Sequence, residues 1–353
     1  MKKLFLILIL VFAVNAGFPQ INFEKGSLND MLAKAKEQKK VLMVDVLTDW
    51  CKWCIELDNK VYAKKDVGDF ANANQVNYKI DAEKGEGIDF AKKFKIQGYP
   101  TVLFLDGDGN EIDRIYGYVP YKDFFEMMQD YNKGKNTLSD LKKRLEADPN
   151  DLEANLKMAD KEMTLGQLDQ AKVHLQKVID LDKDNTKGKT DDAKFKLASL
   201  ADKDHIASEL QSFIDSNPDS DVLKDAYITL AEFYFEKPDE AIKYYDIVLK
   251  KYPDDEMVKS SYGQFLNGQA VELADKGSGE SDYKKGLDLI SQALPYVTGS
   301  VNEASSYYIQ SKLYYNLKDY NNALTSVDKA LKIFDRKLYR DQKEKIQKEL
   351  SMK

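Results

Sequence analysis

The chain holds two cysteines, Cys51 and Cys54, and they stand three apart in the stretch TDWCKWCIELDN, residues 48–59. A pair at that spacing suits half a zinc site, thiol–disulfide exchange, or two buried thiols that happen to open a helix. Structural zinc takes four nitrogen or sulfur ligands. The two histidines, His174 and His205, lie far downstream in a region of helical pattern, so no metal site is expected. Exchange chemistry fits better. The pair follows a strand-like run and leads into a helical pattern. That sets Cys51 at a helix N-terminus, where unpaired N–H groups and the helix dipole favour a thiolate. Cys51 is then the low-pKa nucleophile, and Lys52 adds a nearby positive charge that tunes it. Cys54, one turn on, is placed to resolve a mixed disulfide. The redox group would be the cysteine pair itself, with no further cofactor.

Two more residues bear on this chemistry. Asp45 lies six positions before Cys51, inside the apolar run VLMVDVL (41–47). A carboxylate there is costly unless partnered or protonated. It either sits buried below the pair and accepts the proton of Cys54 through a water, or marks a strand end or a solvent-facing position. Pro100 opens TVLFLD within QGYPTVLFLD. A cis Tyr99–Pro100 bond would set that backbone against the sulfurs. The alternative is a trans proline at the start of a strand.

The elements that must position these residues alternate. Residues 27–40 form an amphipathic helix with Ser27 as N-cap. Residues 41–47 are a continuous apolar, β-branched strand. The cysteine stretch leads into a helix reaching about Tyr62. Residues 76–81 are a strand, 87–96 a helix, and 101–106 and 111–117 two strands joined by the hairpin signal GDGN. Residues 121–133 close the region as a helix. The expected result is an α/β domain over 17–135: a central mixed sheet with helices on both faces.

After residue 135 the strand signal stops, and 136–353 reads as an all-α repeat array. The anchor Ala-x-x-x-(large apolar) of a helix-pair unit recurs at Ala171/Leu175, Ala207/Gln211, Ala241/Tyr245, Gly286/Ile290 and Ala323/Val327. The units 152–185, 225–255 and 304–335 resemble the tetratricopeptide family. That resemblance implies a protein- or peptide-binding scaffold. In the last unit Tyr307 and Tyr314 fall at packing positions. Tyr308 and Tyr315, with Lys312 between them, fall on the face expected to contact a peptide.

Composition supports export and argues against nucleic acid. The formal charge is −7, with basic and acidic residues interleaved, and no basic stripe is present. MKKLFLILILVFAVNAGFPQ opens with two lysines, an apolar run over 4–14 and small residues ending at Ala16. This is a secretory signal pattern, so residues 1–16 are expected to be removed. The mature chain is expected to be exported without a membrane span, to the periplasm if the source is Gram-negative. One close cysteine pair is not the spread of cysteines that staples a secreted fold.

Taken in order, VDVLTDWCKWC, KIDAEK, FKIQGYPTVLFLDGDGNE and the closing helix make residues 20–131 resemble the thioredoxin superfamily. The surroundings of the motif resemble the exported thioredoxin-like domains of DsbD-type thiol transporters. The resemblance implies a redox-active Cys51–Cys54 disulfide, Trp50 packed beside it, and buried Asp45 as proton acceptor. It implies substrate contacts from Trp50, Trp53, Tyr99 and cis-Pro100. Two departures stand out. Lys52-Trp53 replaces the Gly-Pro dipeptide, so the potential does not transfer. Asn77 falls where many relatives carry a lysine for the buried acid, leaving Lys79 on the same strand face as the candidate. The expected function is an exported thiol–disulfide oxidoreductase, a reductase before an oxidase or isomerase. It would act on protein thiols and disulfides and be recharged by an upstream electron donor such as a membrane thiol transporter. The competing expectation is a non-enzymatic scaffold whose thioredoxin fold is an interaction module.

Overall fold

A computed structural model describes residues 20–352. The expected signal segment, 1–16, lies outside the described residues. Two compact units emerge among the described residues: one holds residues 20–47 together with Leu57–Asn132, the other Thr48–Glu56 together with residues 133–352.

The first unit is built on a four-stranded sheet. Helix α1 (Leu28–Gln38) starts at a capping box. The Ser27 hydroxyl accepts the Asp30 N–H, and the Asp30 carboxylate accepts the Ser27 N–H. Strand β1 (Val41–Leu47) follows, then helix α2 (Lys52–Leu57), a π-helical stretch (Asp58–Tyr62) and helix α3 (Lys65–Asn74). Strand β2 (Gln75–Asp81), helix α4 (Gly87–Lys93), strands β3 (Thr101–Leu105) and β4 (Glu111–Tyr116) and helix α5 (Tyr121–Asn132) complete it. The strand order is β2-β1-β3-β4, with β1 and β2 parallel and the other pairs antiparallel. The mixed sheet and its helices on both faces match the expectation. Helix α3 was not expected. Gly68, Asn72 and Asn74 lower its intrinsic propensity, and burial of Val67 and Ala71 overrides that.

Strand side chains alternate between faces. Leu42, Val44 and Val46 pack with Met31, Ala35 and Phe90. Met43 packs on the opposite face with Tyr62, Val67, Phe124 and Met128. Asp45 shares the face of Met43, so its carboxylate is aimed into an apolar layer.

The second unit is helical. Helix α6 (Leu138–Ala147) precedes five helix pairs: α7 (Leu152–Thr164) with α8 (Leu168–Leu181), α9 (Thr190–Ser199) with α10 (Ile206–Ser216), α11 (Leu223–Phe233) with α12 (Pro238–Lys251), α13 (Glu256–Lys276) with α14 (Glu280–Val297), and α15 (Val301–Asn316) with α16 (Tyr320–Ile333). Helix α17 (Lys337–Ser351) ends the array. Four of the expected anchors are buried, including Gly286, where a Cβ would come within 2.7 Å of Leu313. The anchor at Ala207/Gln211 is displaced by one residue. The buried face of α10 is Leu210, Phe213 and Ile214, an i, i+3, i+4 stripe that outweighs one small residue at Ala207.

Candidate active site

Strand β1 ends at Leu47, and α2 begins at Lys52, so Cys51 stands immediately before the first helical turn. Cys51 and Cys54 are joined by a disulfide. The Cys54 N–H donates to the Cys51 sulfur at 3.1 Å, and the Cys51 N–H donates to the Thr48 carbonyl. An N–H aimed at sulfur favours a thiolate once the pair is reduced. Each cysteine is only 4% exposed, whereas Trp50 and Trp53 beside them are 50% and 40% exposed. The Lys52 ammonium lies 5.6 Å from the centre of the Trp53 ring. Burial pulls the Lys52 pKa down to about 8. Arg336 pushes the same way, and Glu56 one turn along the helix opposes both. Lys52 therefore keeps its charge below about pH 8 and loses it above.

Asp45 is fully buried, and its carboxylate pairs with the Lys79 ammonium at 3.0 Å. The pairing follows from register, because Asp45 stands opposite Lys79 in the parallel β1–β2 ladder and Asn77 stands opposite Met43. Lys79 also reaches Asp58 at 2.5 Å, with the rings of Phe23 and Tyr62 4.7 and 5.3 Å from its nitrogen. Burial raises the Asp45 pKa, and Lys79 offsets part of the rise. Burial disfavours the Lys79 charge, but Asp45 and Asp58 outweigh it and hold the ammonium above its ordinary value. Asp58 escaped the sequence reading. Its signal was its place one helical turn after Cys54. The Tyr99–Pro100 peptide bond is cis; Pro100 is buried and Tyr99 half-buried.

The expected peptide face of α15 is covered. Tyr308 stacks on Tyr339 of α17 with ring centres 4.9 Å apart. The Tyr315 hydroxyl donates to Glu349 of α17, and Lys345 of the same helix sits 4.2 Å from its ring centre. Lys312 pairs with Asp275. Helix α17 thus packs over the Tyr308 and Tyr315 side of α15. Tyr307 and Tyr314 are partly buried against the same core. His174 bonds Asn155 across the α7–α8 pair at 2.8 Å, and His205 is exposed just before α10. Among the described residues no three His, Cys, Asp or Glu side chains group as a metal site, and no helix is long and apolar enough to cross a membrane.

Residues 28–132 match the family of thioredoxin-like domains. Residues 152–185, 225–255 and 304–335 match tetratricopeptide repeat families. The thiol:disulfide interchange protein DsbD of Yersinia pestis is 33% identical over 116 residues, 31% of this chain and 19% of that protein. The disulfide bond reductase DsbH of Chlamydia pneumoniae is 22% identical over 109 residues, 28% of this chain and 65% of that one. The crystal structure of the C-terminal domain of Neisseria meningitidis DsbD in its oxidised form aligns at 20% identity and a TM-score of 0.27, covering 31% of this chain and 97% of that domain. The chain spans about a fifth of the length of the DsbD proteins it matches.

Proposed function

We propose, for a chain that joins a thioredoxin-like domain to tetratricopeptide repeats, the activity of an exported thiol–disulfide oxidoreductase. The observation that carries this reading is the placement of the pair: Cys51 just ahead of α2, the Cys54 N–H on its sulfur, and a buried acid on the strand that leads into it. The reduced Cys51 thiolate attacks a disulfide in a client protein. A mixed disulfide forms, and one client thiolate leaves. Cys54 then gives its proton, through a water, to Asp45 and attacks the Cys51 sulfur. The second client thiolate leaves and the Cys51–Cys54 disulfide closes, so two electrons have passed to the client. A raised Asp45 pKa suits that step, because a base is most useful when its pKa approaches the working pH. Trp50, Trp53, Tyr99 and cis-Pro100 serve as client contacts, Lys52 tunes Cys51, and the repeats hold protein partners. An upstream thiol donor returns the pair to its reduced form, and reduction is the favoured direction.

A Cys54→Ser variant, unable to resolve, is expected to accumulate mixed disulfides through Cys51 that dithiothreitol releases. A non-reducing gel free of adducts, together with failure of the intact chain to reduce insulin, would sink the mechanism and leave a binding scaffold. Equilibration of the pair against glutathione gives its potential, and the potential sets the direction of transfer.

A further inference from the structure

Glu56 is a buried carboxylate that the exchange mechanism does not use. It sits on α2, two residues past Cys54, and is 3% exposed. Its Oε1 accepts the backbone N–H of Val301 at 3.1 Å, across 245 residues of sequence. Val301 is the first residue of α15, so its N–H has no partner inside the helix. The Ser300 hydroxyl satisfies the next N–H, that of Asn302. A carboxylate on this end of α15 also meets the positive end of the helix dipole. The segment Thr48–Glu56 belongs to the same compact unit as the array. Two independent observations agree with a hold on that segment. The charge of Arg336, just ahead of α17, is felt by Lys52. Both sulfurs are shielded although the two flanking tryptophans are exposed.

We propose that Glu56 is a latch: by binding the N-terminus of α15 it holds Thr48–Glu56 against the helical array and keeps the Cys51 and Cys54 sulfurs shielded until the contact opens. This rests on the exchange reading above, since a latch matters only if the sulfurs react. It makes Glu56 and the α15 N-terminus a positioning device through which the array governs access to the pair. One charge-assisted hydrogen bond is weak enough to open on client binding and strong enough to bias the closed state.

The test uses the full chain and two variants. Glu56→Gln keeps the shape and removes the charge. Val301→Pro deletes the N–H and leaves the redox segment untouched. Proline is tolerated at the first helical position, and Ser300 already has the extended backbone (φ −117°, ψ 167°) that a residue before proline adopts. The measurement is the rate at which dithiothreitol reduces the Cys51–Cys54 disulfide. Two electrons and two protons pass to the pair, and the reagent closes to its cyclic disulfide. Both variants are expected to be reduced about tenfold faster than the parent, the size of one lost charged hydrogen bond. Reduction of both at the parental rate, with circular dichroism showing an intact fold, overturns the latch. Insulin reduction separates the two ideas. Faster reduction by dithiothreitol without insulin turnover supports the latch and removes the exchange function. Parental rates with full insulin turnover keep the function and remove the latch.

Discussion

Each of the two regions, sheet and array, sets one lysine between two aspartates, and the two triads differ most in the burial of one acid. In the sheet, Lys79 bridges Asp45 and Asp58 at 3.0 and 2.5 Å. In the array, Lys196 bridges Asp160 and Asp192 at 2.6 and 2.9 Å. The lysines are covered to a similar degree. The acids are not: Asp45 is wholly buried, whereas Asp160 keeps 48% of its side-chain surface. A central strand is covered on both faces, so an acid there loses all its water. A helix surface in an array leaves its charges partly hydrated. Burial raises the pKa of both acids, but the one on the sheet is cut off from water and the one on the array keeps part of its hydration.

The largest expected effect comes from removing the bridge in the sheet. Lys79→Met strands Asp45 without its cation, and at neutral pH this should cost about 3 kcal/mol, read from the urea unfolding midpoint. The sign of its pH dependence follows from the raised Asp45 pKa. A carboxyl that holds its proton longer in the fold than in the unfolded chain costs nothing below its unfolded value, about 3.9. The cost grows as pH rises toward the folded value. The Lys79→Met deficit should therefore shrink as the pH is lowered to about 4. A deficit that stays flat with pH would mean that Asp45 is not the group left exposed to the low dielectric.

A smaller effect of opposite sign is expected from Asp45→Asn. Asparagine removes the buried charge, and Lys79 keeps Asp58. Stability at pH 7 should rise by about 1–2 kcal/mol, with no gain near pH 4. The proposed proton acceptor is lost at the same time, so turnover of protein disulfides should fall while Cys51 still alkylates. A variant that is both more stable and fully active would remove Asp45 from the mechanism.

The sheet region was legible because its strands are apolar, β-branched runs bounded by turn signals, and because Cys51, Cys54, Asp45 and Pro100 lie near one another in sequence or fall at fixed places in that order. The Asp45–Lys79 partnership needed the register of two parallel strands, which one sequence leaves open; Lys79 could be named only as a candidate. Helix α3 was hidden by Gly68 and two asparagines. In α10 the apolar stripe Leu210, Phe213 and Ile214, and not the small residue Ala207, sets the buried face. Tyr308 and Tyr315 read as an open face, since nothing in their spacing tells a free groove from one covered by the terminal helix. The contact of Glu56 with Val301 joins positions 245 apart and leaves no local pattern at all.

The smallest expected effect sharpens the comparison from the array side. Lys196→Met removes the same bridge as Lys79→Met, yet Asp160 and Asp192 keep access to water, and Lys157 lies close enough to Asp160 to steady its charge. The loss should stay under about 1 kcal/mol and should shrink further in 0.5 M salt by roughly half, as expected for a screened pair. The sheet triad should respond far less to salt, because the field between Asp45 and Lys79 runs through protein rather than solvent. If Lys196→Met cost as much as Lys79→Met, lysine coverage and not the burial of the acid would set the energy.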